Sequence, residues 1–458
     1  MPTDRKYHVS LCVSMLCVII FRMNIPTKSA VVRKQFSLDC GVSLTTYEKT
    51  DAPIAFRVTF LAGSRFDPRG KEGLAHFVEH MFLAQEGHHG SRQELALWFE
   101  ERGGSISALT KLDTIQFDFV IADVGDLPDA LAIFTGLLNF ASSSDTLETE
   151  RRAIQSEMRR KNSTQTEPMI RAIYNNLFEG SPVTRPTVGT EAGISSITQE
   201  DIQSYYRDMC TANKMSVIIT GGVCGEEVLR MCNTAFASLQ INSTQAVCLD
   251  APAIMPKNKH NPVILQQNKE AKEILIAIYF CTVPTGTRDA LILELVANVF
   301  TGSPASLFYR VLRYERGLLY KIDASQQSRC DFGLFSIWTS CAHEHAIGVL
   351  EGIREILSCI LREEVREADV VAAKHRMINS ERVRMQTVES IVEKNAYGIL
   401  INKDFDYETY MGQLESISVD EMQSVAQKYF TPSNWSMNVV GNIEQKNIER
   451  LQTWTPIK

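Results

Sequence analysis

SITQEDIQSYYRDMCTANKMSVIITG, residues Ser196–Gly221, is repeated in outline by SISVDEMQSVAQKYFTPSNWSMNVVG, residues Ser416–Gly441. The two stretches align without a gap at an offset of 220 residues. Each begins with a serine or threonine followed by acidic residues, which is a helix start signal. Each then continues as an amphipathic helix, a turn and a strand that ends at glycine. One helix–strand unit therefore occurs twice.

A second pair of similar stretches lies earlier in each half. FEERGGSISALTKLDTIQFDFVIA (Phe99–Ala122) is similar to RYERGLLYKIDASQQSRCDFGLFSIW (Arg313–Trp338). Both contain Glu-Arg-Gly and then strand patterns, and each is followed by a long helix, Leu127–Asn139 or Ala346–Leu361. Two similarities in the same order predict a duplicated α+β fold, in which each domain has a mainly antiparallel sheet packed by helices.

The length of 458 residues is too great for one hydrophobic core. We expect a first domain over residues 23–239 and a second over 262–458. The segment 240–261, rich in Asn, Ser, Pro and Lys, is the expected linker.

The bulk composition is that of an ordinary globular protein, with 44% hydrophobic and 22% charged residues. A net charge of −7 lacks the basic footprint of a nucleic-acid-binding protein, so no nucleic acid is expected as a partner. The eleven cysteines are odd in number and form no C-x-x-C pair. They indicate free thiols and a reducing compartment, the cytoplasm or an organelle matrix.

The N-terminal residues 1–22 contain an apolar run, VSLCVSMLCVIIF (Val9–Phe21), with basic residues on both sides. The run is shorter than the roughly 20 residues of a spanning helix, and no convincing cleavage site follows it. Three interpretations stay open: a targeting segment for export, a membrane anchor, or an extension ahead of a true start at Met23.

GLAHFVEHMF (Gly73–Phe82) places three polar side chains in a helix that is otherwise apolar. His76 and His80 are four residues apart, so both imidazoles lie on one helix face and can bind one metal ion. Glu79 is turned slightly aside, which suits a general base. This is the inverted zincin order, H-x-x-E-H, and it predicts zinc. The competing interpretation is a buried helix whose histidines are only hydrogen-bonded.

A third ligand is expected to be a carboxylate on another helix. LETERRAIQSEMRR (Leu147–Arg160) contains Glu150 and Glu157, two helical turns apart and therefore on one face. Buried glutamates are rare unless they are paired or bind a metal. The spacing alone leaves both candidates open.

With these motifs in place, the chain resembles the pitrilysin/insulinase family of zinc peptidases, in the branch of bacterial processing proteases and the β-subunit of the mitochondrial processing peptidase. The resemblance covers nearly the whole chain after Met23. The matching motifs are GSRFDPRGKEGLAHFVEHMF (Gly63–Phe82), ERRAIQSEM (Glu150–Met158), SPVTRPTVGT (Ser181–Thr190) and LRYERGLLY (Leu312–Tyr320).

The resemblance implies a division of roles among these residues. The family's third ligand lies about 77 residues after the second histidine, which is Glu157, and an assisting glutamate lies seven residues earlier, at Glu150. Zinc, one ion per chain, would activate a water molecule, and Glu79 would take its proton and deliver it to the leaving amine.

The second copy is expected to contact substrate without binding metal. By the Glu-Arg-Gly match, its counterpart of the histidine helix is Ala290–Glu294, ALILE, which has no ligand pair. The resemblance implies that Arg313 and Tyr320 close over the substrate. Alternatively, they are a surface arginine and a packed tyrosine.

The resemblance also implies that substrate adds as a strand along Ser105–Thr110. Ser107 and Ala108 stand where many relatives have Asn-Ala. Presequence-processing relatives place acids after the third ligand, whereas this chain has RRKN (Arg159–Asn162) and keeps one acid, Glu167. This argues against a strictly arginine-directed specificity, so we expect an acidic or neutral peptide at least as much as an arginine-rich one.

The expected function is a zinc-dependent endopeptidase that cleaves peptides or unfolded segments. The alternative is a non-catalytic core or partner subunit of the same fold. The family builds a chamber from four such domains, so the resemblance implies a homodimer, or a heterodimer with a metal-free relative.

Overall fold

A computed structural model describes residues 31–85, 90–138, 144–209, 211–237, 239, 262–362, 364–403 and 406–457. The predictions for residues 1–22 and for the linker 240–261 concern segments outside the described residues. The seven cysteines in the described part are all free thiols. No helix in that part is long and apolar enough to cross a membrane.

Eleven strands of the described chain form two sheets. They are β1 (Val32–Ser37), β2 (Ser43–Glu48), β3 (Ile54–Phe60), β4 (Ser105–Thr110), β5 (Ile115–Ile121), β6 (Met215–Gly221), β7 (Val263–Gln267), β8 (Ile274–Thr282), β9 (Lys321–Ser328), β10 (Gly333–Cys341) and β11 (Ser436–Gly441). The first sheet has the order β1-β2-β6-β3-β5-β4, and the second has β7-β11-β8-β10-β9.

Each sheet is antiparallel except for one parallel pair, β2–β6 in the first and β7–β11 in the second. These pairs occupy equivalent places, because β11 corresponds to β6 in the repeated stretch. The predicted α+β duplication with mainly antiparallel sheets is confirmed.

Fifteen helices of the described chain pack on these sheets. They are α1 (Leu74–Leu83), α2 (Arg92–Glu100), α3 (Leu127–Leu138), α4 (Ser144–Asn162), α5 (Thr166–Phe178), α6 (Glu191–Ser196), α7 (Gln199–Met209), α8 (Gly225–Phe236), α9 (Arg288–Thr301), α10 (Ala346–Leu361), α11 (Glu367–Arg384), α12 (Val388–Leu400), α13 (Tyr407–Ser416), α14 (Val419–Tyr429) and α15 (Gln445–Gln452). A π-helical segment covers Tyr309–Glu315.

The two halves exchange one helix each. Helix α12, from the second half of the sequence, packs on β3 and β6 of the first sheet, and α5, from the first half, packs on β11 of the second. Every residue of β3 and β6 is buried, because α12 covers the face that the first half's own helices leave open. Met169 and Ile173 of α5 join a shared apolar cluster with Tyr279 of β8. Burial on both sides explains why these strands are mainly apolar, and Arg57, the one charged residue in them, is paired with Asp118 and with Glu393 of α12.

A buried charge network joins the halves beside the exchanged helices. Arg65 pairs with Asp113 at 2.8 Å and with Asp331 of the second half at 2.8 Å. The Tyr397 hydroxyl of α12 donates to the Asp113 carboxylate at 2.8 Å. Because each buried charge has an opposite charge and further hydrogen bonds, the desolvation cost of burying them is offset.

Candidate metal centre and peptidase site

Helix α1 begins in a rigid buried turn. The Asp67 carboxylate accepts hydrogen bonds from the backbone N–H groups of Gly73 at 2.7 Å and Ala75 at 2.8 Å. Gly73 has φ +106°, and a Cβ there would lie 2.8 Å from the Cα of Gly189. Only glycine fits this left-handed, crowded position. The start of the helix that carries both histidines is therefore held in place by backbone contacts.

The two histidines of α1 lie side by side and point toward one carboxylate of α4. Their ring centroids are 4.7 Å apart with the rings nearly perpendicular. The Nε2 atoms of His76 and His80 each lie 3.6 Å from the same oxygen, Oε2 of Glu157. The three ligand atoms all fall within 4.8 Å of one another.

This spacing fits a zinc ion. Ligand atoms about 2.0–2.1 Å from a tetrahedral zinc stand roughly 3.4 Å from each other. The two nitrogen–oxygen separations of 3.6 Å are close to that value. Two imidazoles and one carboxylate are also the donor set of catalytic zinc sites, which keep a fourth position open.

Glu150 lies behind His80 rather than beside Glu157. Its Oε2 is 2.8 Å from His80 Nδ1. With a proton on Nδ1 donated to this carboxylate, the Nε2 lone pair of His80 faces Glu157, which is the usual arrangement for a metal-binding histidine. The geometry gives Glu150 a positioning role, and it leaves Glu157 as the carboxylate that faces both histidines.

Burial keeps His76 neutral. Its side chain is 8% exposed, and its Nδ1 has no hydrogen-bond partner in the described chain. Burial, aided by the charge of His80, lowers the pKa of His76 to about 4. At neutral pH this imidazole therefore has an unprotonated nitrogen available for a metal ion.

Glu157 is held between the histidines and a lysine. Its Oε1 accepts from Lys161 Nζ at 2.9 Å, one helical turn further along α4. Partial burial favours the protonated form of Glu157, but the hydrogen bond and the positive charge of Lys161 oppose it, and the pKa of Glu157 is lowered. The carboxylate is thus ionised, as a metal ligand must be.

Glu79 lies next to this group, on the side of the edge strand β4. Its Oε2 accepts a hydrogen bond from the Thr110 hydroxyl at 2.6 Å. Burial raises the pKa of Glu79, and the Thr110 hydrogen bond opposes that rise. A buried carboxylate with a raised pKa is a stronger base than an exposed one, which suits proton transfer near neutral pH.

The residues expected to contact substrate form two separate pairs, Ser107 with Ala108 and Arg313 with Tyr320. Ser107 and Ala108 lie on β4, which forms the edge of the first sheet and packs against α1. Arg313 stacks on the ring of Tyr320, with its guanidinium carbon 4.4 Å from the ring centroid. Tyr320 is 77% exposed. In the described chain the other ring contacts of Arg313 are with Tyr309 and Tyr314, not with the histidine group.

Sequence reasoning missed two members of the site, Thr110 and Lys161. Lys161 could have been found, because it follows Glu157 at i+4, the spacing of a helical ion pair. Thr110 had no such signal, because its contact with Glu79 depends on how α1 packs against β4.

One other cluster of metal-competent side chains occurs in the described chain, formed by Glu48, Cys224 and Glu226. Lys34 already bonds both carboxylates, at 2.8 Å to Glu48 and 3.0 Å to Glu226. Cys224 and Glu226 are also exposed. The Lys34 ammonium already neutralises these carboxylates, so we interpret the group as a surface ion-pair cluster rather than a metal site.

Comparison with known families agrees with this geometry. A family model described as "Insulinase (Peptidase family M16)" matches residues 43–191, and one described as "Peptidase M16 inactive domain" matches residues 196–377. The chain belongs to the M16 (insulinase) peptidase family. The first match contains His76, His80, Glu150 and Glu157. The M16 "inactive domain" match contains α9, whose sequence RDALILELVANVFT has no histidine.

Three relatives are distant in sequence but match along most of their length. An uncharacterized zinc protease of Mycobacterium tuberculosis is 23% identical over 368 residues, covering 80% of this chain and 83% of its own. One of Bacillus subtilis is 21% identical over 407 residues, covering 87% and 96%. The mitochondrial-processing peptidase subunit beta of Lentinula edodes is 23% identical over 428 residues, covering 89% and 90%.

Solved structures share the M16 fold of this chain. A protease from Helicobacter pylori superposes with a TM-score of 0.82 at 16% identity, covering 90% of this chain and 100% of its own. A chain of complex III from Candida albicans superposes with a TM-score of 0.75 at 13% identity, covering 92% and 98%. At these identities the likeness extends to the fold alone.

Proposed function

We propose that this M16 protein is a zinc-dependent endopeptidase that cleaves peptides or unfolded segments. The observation that carries the proposal is that His76, His80 and Glu157 converge at zinc-ligand spacing beside a buried carboxylate, Glu79. The two bacterial relatives are named as zinc proteases, which supports the same activity.

The proposed roles of the residues follow from their contacts. His76, His80 and Glu157 would hold zinc, which supplies Lewis acidity toward a peptide carbonyl and lowers the pKa of water. Glu150 keeps the His80 ring oriented through its 2.8 Å contact. Glu79 takes a proton from the attacking water and passes it to the leaving amine nitrogen. The Thr110 hydroxyl holds the Glu79 carboxylate in position for both transfers.

The edge strand β4 is the proposed binding place for the substrate backbone. No strand of the described chain pairs with its edge opposite β5, so an extended peptide can add there as a further strand. Ser107 and Ala108 lie in the middle of this strand, three and two residues before Thr110. A peptide bound there runs past Glu79, so extended and unfolded chains are the proposed substrates.

We further propose assembly of two such chains, as a homodimer or as a heterodimer with a related metal-free chain. One curated relative is itself named as a subunit. The Arg313–Tyr320 stack, whose tyrosine is exposed, is then available to cover the substrate.

A non-catalytic core subunit is the second candidate, since one similar structure is a chain of complex III. The presence of both histidines, Glu157 and Glu79 in one arrangement favours the peptidase. The deciding experiment is digestion of a peptide library, read by mass spectrometry, with zinc and with a chelator. Zinc-dependent cleavage that the Glu79→Gln protein lacks supports the peptidase. Binding of zinc without any cleavage favours the core subunit.

A further inference from the structure

A cavity of about 360 Å³ lies directly beside the proposed catalytic group. Its lining includes Thr110, whose hydroxyl donates to Glu79, and Lys161, whose ammonium is paired with Glu157. The cavity therefore adjoins the candidate base on one side and a candidate metal ligand on another. A volume of this size accommodates an amino-acid side chain.

The lining of the cavity is strongly basic. Among the described residues that form it, one is acidic, Glu167, and five are basic: Lys111, Lys161, Arg171, Arg185 and Arg329. Three of the basic residues are paired with carboxylates outside the lining: Lys111 with Glu393, Lys161 with Glu157 and Arg329 with Asp113. The remaining two arginines donate to neutral oxygens, Arg171 to Asn162 and Arg185 to the carbonyl of Arg65.

Arg171 has hydrogen-bonding capacity that no residue of the described chain uses. One Nη donates to Asn162 Oδ1 at 2.8 Å, while its Nε is buried without a partner. Glu167 lies one helical turn earlier on α5, yet no ion pair joins it to Arg171 in the described structure. A guanidinium has five N–H donors, and a carboxylate is the group that best uses those left over, through two parallel hydrogen bonds.

We propose that this cavity is a specificity pocket for a carboxylate of the peptide substrate, bound by Arg171. The carboxylate can come from an aspartate or glutamate side chain or from the C-terminus of the peptide. The inference rests on the proposed peptidase function, since it assigns the substrate class of that same site. The basic lining repels lysine and arginine side chains, so peptides with these residues in the pocket bind poorly.

The first test compares matched peptides that differ at one position, Glu, Gln or Lys, each with a free or an amidated C-terminus. We expect the Glu peptide to have a kcat/KM about tenfold or more above the Gln peptide, the range of a charge-assisted hydrogen bond. If the C-terminus is the bound group, amidation lowers kcat/KM and the internal residue has no effect. Equal values for all peptides overturn the proposal.

Variants then assign the effect to Arg171. Arg171→Gln is expected to remove the preference for the carboxylate, mainly through KM, and Arg171→Glu to reverse it toward the Lys peptide. The matched control is Arg160→Gln, because Arg160 is an exposed arginine of α4 outside the cavity lining. The control keeps the wild-type preference. An unchanged preference in both Arg171 variants contradicts the assignment.

A binding measurement separates this proposal from the proposed function. Fluorescence anisotropy of the same labelled peptides is recorded with the zinc-loaded Glu79→Gln protein, which should not cleave them. We expect tighter binding of the carboxylate peptides, weakened about tenfold by adding Arg171→Gln. If the wild-type protein cuts no peptide, the peptidase proposal fails, and this measurement still decides the pocket. If the wild-type protein cleaves peptides but the peptides with and without the carboxylate bind with equal affinity, only the pocket proposal fails.

Discussion

The Thr110 hydroxyl donates a 2.6 Å hydrogen bond to the Glu79 carboxylate, which ties helix α1 to the last residue of the edge strand β4. Both side chains are buried. The contact joins the candidate base to the strand along which we propose that substrate binds. It also lowers the pKa of Glu79 against the opposing effect of burial.

Replacement of Thr110 tests this relationship. Thr110→Val removes the hydroxyl with little change of shape, so the ionised form of Glu79 loses a hydrogen bond and the pKa of Glu79 rises. The acidic limb of the kcat–pH profile is expected to move to higher pH, and kcat to fall about tenfold. Thr110→Ser, which keeps the hydroxyl, should restore the profile. An acidic limb that stays in place in Thr110→Val would show that this hydrogen bond does not tune the base.

Replacement of Glu79 separates catalysis from metal binding. Glu79→Gln is nearly isosteric but cannot accept the proton, so activity should fall by about two orders of magnitude or more while zinc content stays unchanged. Steady-state kinetics beside metal analysis provide the readout. Glu100→Gln, at an exposed position of α2, is the matched control and should remain active. Near-normal kcat in Glu79→Gln would exclude this residue as the base.

Metal analysis tests the ligand assignment. The purified protein is expected to bind about one zinc per chain, and His76→Ala or Glu157→Ala to lose it, because two donors cannot hold zinc as three do. His375→Ala is the control, since His375 is exposed on α11. Full zinc content in His76→Ala would remove the assignment.

The pH dependence of stability tests the burial of His76 in the metal-free protein. Its pKa is about 4 when folded and 6.5 when unconstrained, so between these values the unfolded chain binds a proton that the folded chain does not. Stability should therefore rise with pH from about 4 to 6.5, and His76 contributes up to about 3 kcal/mol of this rise.

Urea unfolding in the presence of a chelator at several pH values measures this effect. The His76→Gln protein, which has no titrating group there, should show a shallower dependence between pH 4 and 6.5. Parallel stability curves for the two proteins would mean that His76 is not held neutral by burial.

Assembly is tested by light scattering and activity measured at falling protein concentration. We expect a dimer, with activity lost as it dissociates, and cleavage of casein-like unfolded chains in preference to compact domains. A monomer that stays fully active well below micromolar concentration would contradict the dimer and leave an enzyme that works on an open face.

Much of the fold could be predicted because the chain repeats a helix–strand unit, and hydrophobic periodicity is a local property. The strand Ser105–Thr110 and the helix Ala346–Leu361 have the predicted bounds. The exchange of α5 and α12 could not be predicted, because an amphipathic helix shows that it packs on a sheet but not on which one. That choice depends on residues far apart in sequence, such as Ile391 of α12 and Ile218 of β6, which belong to one buried apolar cluster.

The sequence by itself determined the histidine pair, because four-residue spacing on a helix places both rings on one face whatever surrounds them. It also narrowed the third ligand to two glutamates two turns apart. Only the tertiary structure shows which histidine atoms each glutamate approaches. Helix α4 packs against α1 so that Glu157 faces both Nε2 atoms, while Glu150 reaches Nδ1 of His80. The physical reason is that helical spacing defines which residues share a face, whereas the angle and depth at which two helices pack define which atoms meet.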